Sequence, residues 1–149
     1  MPIAIISGIT ILDQIVKIII RSTLSSGESL PVIGNFFRIV FVRNTGTSFS
    51  MFESNEWITL GLTSVLLIVC SFYLVSEVKK SNSCKYIIIC LASIIGGGLS
   101  NLLDRLFVGY VTDMFSVGSF AVFNVADIFI TCGCIILIVY IMFFDKEDR

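Results

Sequence analysis

Histidine is absent from the 149 residues of this chain. Its absence excludes a Ser-His-Asp triad, a Cys-His pair and a His-ligated zinc. Charge is scarce as well. Only 14% of the residues are charged and 56% are hydrophobic, whereas a soluble domain carries roughly a quarter charged residues. A mean hydropathy of +0.98 agrees that this is an integral membrane protein. The net charge is −1, with no basic tract and no interleaving of aromatic with basic residues, so nucleic acid is excluded as a partner. Cysteine is present at positions 70, 84, 90, 132 and 134, but none has ligand spacing. Four lie inside apolar runs and Cys84 lies in a short charged loop, so they read as small core residues plus one loop thiol.

What the chain does have is four long apolar stretches. About 20 residues of helix cross a bilayer core, and the stretches predict helices over about residues 2–20, 57–76, 86–106 and 123–144. The first lacks a basic leading region and a small-x-small cleavage site, and is expected to be retained rather than removed as a signal. Residues 1–149 are expected to form one domain. Between the first two helices, Leu30–Asn35 reads as a turn, and Phe36–Arg43 is rich in β-branched and aromatic residues. The expected fold is therefore all-α integral membrane, with four transmembrane helices. A small extracytoplasmic β element, within about residues 22–55, rests on the membrane surface between helices one and two. The loop Glu77–Lys85 carries Lys79, Lys80 and Lys85, and the tail adds Lys146 and Arg149. This bias places both termini in the cytoplasm.

Against that layout the polar residues of the apolar segments segregate. Asp13 and Lys17 lie in the second half of helix one, at i, i+4, where they can pair. Asn44 and Gly46 belong to the long loop. Asn101, Asp104 and Arg105 close helix three, Asp113 follows in the next connection, and Asn124 and Asp127 open helix four. All of these fall at one membrane face, the signature of a polar site rather than of scattered structural groups. A carboxylate inside an apolar span is costly and rare without a use. Asp13 has a local cation and Asp104 can pair with one, so both are expected to be structural. Asp113 has no local partner, and Asp127 has only the neutral Asn124. Each is the other's most plausible neighbour, and two carboxylates near one another share a proton and can activate water. Arg105 reads either as a snorkelling anchor or as a clamp on the loop bearing Asp113. Gly96-Gly97-Gly98 predicts close helix packing.

These residues resemble signal peptidase II, the bacterial lipoprotein signal peptidase family of aspartic peptidases, over nearly the whole chain. Asp13-Gln14 with Lys17 is similar to D-Q-x-x-K, and Asn44 through Ser50 to N-x-G-x-A-F-S. Gly97 through Arg105 is similar to G-[AG]-x-G-N-x-x-D-R, Gly109 through Met114 to G-x-V-x-D-F, and Phe123 through Asp127 to F-N-x-A-D. Ser48, Ser100 and Met114 stand where Ala, Gly and Phe are usual. Phe120-Ala121 replaces a common Trp-Pro, and the connection between the two aspartates is shorter than usual.

The resemblance implies a catalytic pair, Asp113 and Asp127. It also implies that Asn44, Gly46, Asn101, Arg105 and Asn124 bind substrate or orient the pair, with Asp13, Lys17 and Asp104 in support. It implies an endopeptidase that removes signal peptides from prolipoproteins just before a diacylglyceryl-modified cysteine. No metal or organic cofactor is implied. Membrane lipid and globomycin-type inhibitors are expected to bind, the protein is expected to be a monomer, and the location is the bacterial cytoplasmic (inner) membrane with the site at its outer face. A rival reading is a small proton-coupled transporter subunit using Asp13 or Asp127, which gives Asp113 no role. A third is an inactive relative that binds without cleaving.

Overall fold

A computed structural model describes residues 1–46, 56–118 and 121–144. Among the described residues, four helices long and apolar enough to cross a membrane make this a multi-pass membrane protein. They are α1 (Pro2–Thr23), α2 (Glu56–Lys79), α3 (Lys85–Phe107) and α4 (Val125–Phe143). Their lipid-side residues, such as Ile18, Val69 and Ile138, are exposed apolar groups, as a bilayer solvent requires. The second half of the long loop motif, including Ser48, lies outside the described residues, as do Phe120 and the charged tail with Lys146 and Arg149.

Helix α3 is the centre of the bundle and packs against the other three helices. Its glycine triplet explains how. A Cβ at Gly96 would lie 3.0 Å from Ile6 O of α1, one at Gly97 would lie 2.6 Å from Ala126 O of α4, and one at Gly98 would meet Leu67 of α2 at 2.8 Å. Three consecutive residues point about 100° apart around a helix, so each glycine receives a different neighbour: backbone of α1 at Gly96, backbone of α4 at Gly97 and the Leu67 side chain at Gly98. Away from the polar end, Leu74, Ile87, Ile88, Leu91 and Ile95 form the apolar core.

The β region is larger than the sequence predicted. Strands β1 (Ser29–Ile33) and β2 (Phe37–Asn44) come from the first connection, and β3 (Val111–Val117) and β4 (Ala121–Phe123) from the connection between α3 and α4. They form one antiparallel sheet in the order β1-β2-β3-β4. The expected turn at Leu30–Asn35 is corrected: residues up to Ile33 are strand, and only Gly34–Phe36 turn. Pro31 misleads here. Proline reads as a strand breaker, but β1 is the edge strand, where its missing N–H is tolerated. Gly109, at φ +84°, makes the sharp exit from α3 into β3, and its N–H and that of Val108 cap the Asp104 carbonyl at 3.1 and 2.8 Å. Met114 is fully buried with Ile20, Leu24 and Phe41, fixing the inner face of the sheet on the end of α1.

Candidate active site

Two elements deliver the two unpaired carboxylates. Asp113 sits in the middle of β3, opposite Val42 of β2, and Asn44 pairs with Val111. Residues two apart on a strand share a face, so Asn44 lies diagonal to Asp113, and its Nδ2 donates to Asp113 Oδ2 at 2.9 Å. Asp127 is in the first turn of α4, which starts two residues later than the apolar pattern suggested, because Asn124 is its N-cap. The two side chains form a reciprocal capping box. Asp127 N donates to Asn124 Oδ1 at 2.9 Å, and Asn124 N donates to Asp127 Oδ2 at 3.2 Å. Their i, i+3 spacing thus reflects a cap rather than a shared helix face.

The Asn124 side chain then joins the two aspartates. Its Nδ2 donates to Asp113 Oδ1 at 2.7 Å and to Asn101 Oδ1 at 3.2 Å. Asn101 Nδ2 donates to Asp127 Oδ1 at 2.9 Å. All four carboxylate oxygens therefore accept a hydrogen bond from an amide: Asn44 and Asn124 on Asp113, Asn101 and the Asn124 backbone on Asp127. Neither aspartate has an ion-pair partner among the described residues. Asp113 is 2% exposed. Burial pushes its carboxyl up to about 6, the neighbouring Asp127 charge adds to the rise, and the Asn44 and Asn124 bonds and Lys17 oppose it.

The remaining predicted residues fall into place around this pair. Arg105 reaches Gly46 O at 3.3 Å and Asn101 O at 3.4 Å, so it holds the first connection rather than the strand bearing Asp113. Gly46 N in turn donates to Asn44 Oδ1 at 3.0 Å, which turns the Asn44 amide nitrogen toward Asp113. Asn44 and Arg105 line an open cavity of about 180 Å³ whose other walls include Trp57, Leu60, Leu106 and Tyr110. The cleft thus has polar and apolar lining residues, and it reaches the pair through Asn44, the donor to Asp113.

Asp13, Lys17 and Asp104 form a second, buried cluster. Lys17 Nζ lies 2.8 Å from Asp13 Oδ2 and 3.2 Å from Asp104 Oδ2. Three further residues join the cluster, of which the motifs named Gln14 and Ser100 without a role and left out Arg21. Arg21 Nη1 bonds Asp104 Oδ1 at 3.1 Å and Thr112 Oγ1 at 2.9 Å. Gln14 Nε2 donates to Asp104 and to Ser100. Ser100 Oγ donates to Asp13 Oδ2 at 2.7 Å, which gives the departure from glycine there a physical use. The signal for Arg21 was available: Asp13, Lys17 and Arg21 are spaced by four residues and share one helix face.

A pair of cation-free, hydrogen-bonded carboxylates at one end of a four-helix membrane bundle defines the class of this protein as a membrane enzyme of the paired-aspartate type. The family model for signal peptidase (SPase) II matches residues 5–143. The lipoprotein signal peptidase of Fusobacterium nucleatum is 37% identical over 93% of this chain and 84% of its own length. That of Clostridioides difficile is 34% identical over 93% and 92%. A bacterial membrane enzyme solved by the in meso method at 2.3 Å superposes with a TM-score of 0.81 at 26% identity, covering 99% of this chain and 93% of that one. A second, at 1.9 Å, gives 0.79 at 28% identity over 97% and 94%. The chain belongs to the signal peptidase II family. The transporter subunit weighed from the sequence finds no support in these likenesses.

Proposed function

We propose that this protein is an aspartic endopeptidase that removes signal peptides from prolipoproteins just before a diacylglyceryl-modified cysteine, with Asp113 and Asp127 as its catalytic pair. The observation that carries the assignment of residues is Asn124, whose side chain donates to the Asp113 carboxylate and whose backbone N–H donates to the Asp127 carboxylate. The pair holds one proton. The ionised member takes a proton from a bound water as the water oxygen attacks the scissile carbonyl carbon. The protonated member gives its proton to the carbonyl oxygen. In the collapse of the resulting diol, the C–N bond breaks, the amine leaves with a proton from one carboxyl, and the other carboxylate recovers the diol proton. The pair ends with one proton again.

Asn44, Gly46, Asn101, Arg105 and Asn124 bind the substrate backbone or orient the carboxylates, and Asp13, Lys17 and Asp104 support them. The cleft beside Asn44 and Arg105 suits a substrate with a peptide part and an apolar part. This reading treats residues 1–149 as one peptidase domain, working as a monomer in the bacterial cytoplasmic membrane among its lipids. Lys79, Lys80 and Lys85 at the far end of the bundle favour cytoplasmic termini and a site at the outer face. Globomycin-type peptides are expected to occupy the cleft.

The test is cleavage of a diacylglyceryl-modified prolipoprotein by purified protein in detergent or lipid. The unsubstituted enzyme releases the signal peptide, and Asp113→Asn and Asp127→Asn each lose about 10³-fold or more. Full activity in either variant removes that residue from the pair, and an inert unsubstituted protein ends the peptidase reading.

A further inference from the structure

We propose that Lys17 is a positioning residue for the carboxylate pair, because the two carboxylates it binds each hold the backbone N–H of the residue just before one member of that pair. The inference rests on the assignment of Asp113 and Asp127 above.

The geometry is symmetrical. Lys17 binds Asp13, and Asp13 Oδ1 accepts from Ala126 N at 2.8 Å, one residue before Asp127. Lys17 also binds Asp104, and Asp104 Oδ2 accepts from Thr112 N at 2.9 Å, one residue before Asp113. The third ammonium proton goes to Asn101 Oδ1 at 2.7 Å. An ammonium has three donors and no acceptor, so Asn101 must turn its oxygen to Lys17 and its nitrogen to Asp127. One fully buried cation on α1 thereby fixes the start of α4, the start of β3 and the direction of the amide between them.

Neutralising Asp13 would not require this arrangement. If that were the only role of Lys17, removing both charges together would cost nothing in catalysis. Under the positioning role the same change frees Asn101 to flip and loosens both backbone anchors. A misplacement of about 1 Å costs on the order of 100-fold in rate.

The experiment compares the charge-balanced double variant Asp13→Asn/Lys17→Met with the parent enzyme on the prolipoprotein substrate. Membrane accumulation and thermal unfolding in detergent are measured alongside. The expected result is a kcat lower by about 10- to 100-fold with KM little changed. The limb of the pH profile set by Asp113 moves to higher pH, because the Lys17 cation favours its ionised form. Asp127 and Arg105 are the other charged groups acting there and are left intact. A double variant with parental kcat and parental pH profile overturns the proposal. If it does not accumulate, Lys17→Arg keeps the buried charge but replaces three tetrahedral donors by a planar fork. It is expected to lose kcat with KM retained, and parental kcat there overturns the proposal equally. Failure of the underlying assignment is read separately, as activity retained in Asp113→Asn or Asp127→Asn.

Discussion

Four aspartates meet at one end of this bundle, and they fall into two pairs with different partners. Asp13 and Asp104 are fully buried and share Lys17, with Arg21 added on Asp104. Asp113 is as deeply buried, yet it and Asp127 receive only neutral amide donors. A buried carboxylate paired with a cation and gripping backbone N–H groups serves as an anchor. A buried carboxylate among amides sits where burial and a like charge favour its proton, and it can exchange that proton during a reaction. The two pairs are also linked, since each anchor carboxylate grips the backbone beside one member of the other pair.

The sharpest way to break this contrast is substitution to asparagine across all four positions. Asp113→Asn and Asp127→Asn are expected to abolish cleavage, by about 10³-fold or more, while leaving thermal stability close to parental. Asp104→Asn should do the reverse in stability. It strips Lys17 and Arg21 of a partner and is expected to destabilise by about 3 kcal/mol, measured as thermal or denaturant unfolding in detergent. A stable Asp104→Asn protein would erase the distinction between anchors and reactive groups.

Gly97→Ala probes the seam between the pairs. Its new Cβ would press on Ala126 O, moving the first turn of α4 and with it Asp127. Activity is expected to fall by about tenfold or more, while Gly8→Ala, with nothing within 4 Å, should be silent. Asn44→Ala removes a bond that favours ionised Asp113. The Asp113 limb of the pH–kcat/KM profile should therefore move upward from about 6. A limb that stays in place would show that Asp113 does not govern it. The smallest effect is expected for Ser100→Ala, which loses the hydroxyl bond to Asp13 and about 1 kcal/mol of stability, with kcat retained.

Much of this was legible in the sequence because lipid leaves few choices. Apolar length fixed the four helices, and the cost of intramembrane charge singled out the residues that the structure brings together. The Asp13–Lys17 pair followed from i, i+4 spacing and is present at 2.8 Å. Three features were not legible, each for a local reason. Strand β3 follows the last turn of α3 after only a short turn at Gly109, and its pairing with β2 is a long-range contact that no local pattern reports. Pro31 hid β1, because edge position is a property of the sheet and not of the segment. Arg21 lay just past the expected end of the first helix at about residue 20, whereas it belongs to the last turn of α1 and reaches Asp104 and Thr112 across the bundle.

The central claim is that Asp113 and Asp127 act as one titrating pair. It is tested most directly by following the Asp113 carboxyl through a pH titration, by carbon-13 NMR of labelled aspartate, in the parent protein and in Asp127→Asn. The neighbouring charge raises Asp113, so its removal must lower the midpoint: the parent titrates near 6 and the variant at distinctly lower pH. An Asp113 midpoint that is the same in both proteins would show that the two carboxylates do not share a proton, and would contradict the account.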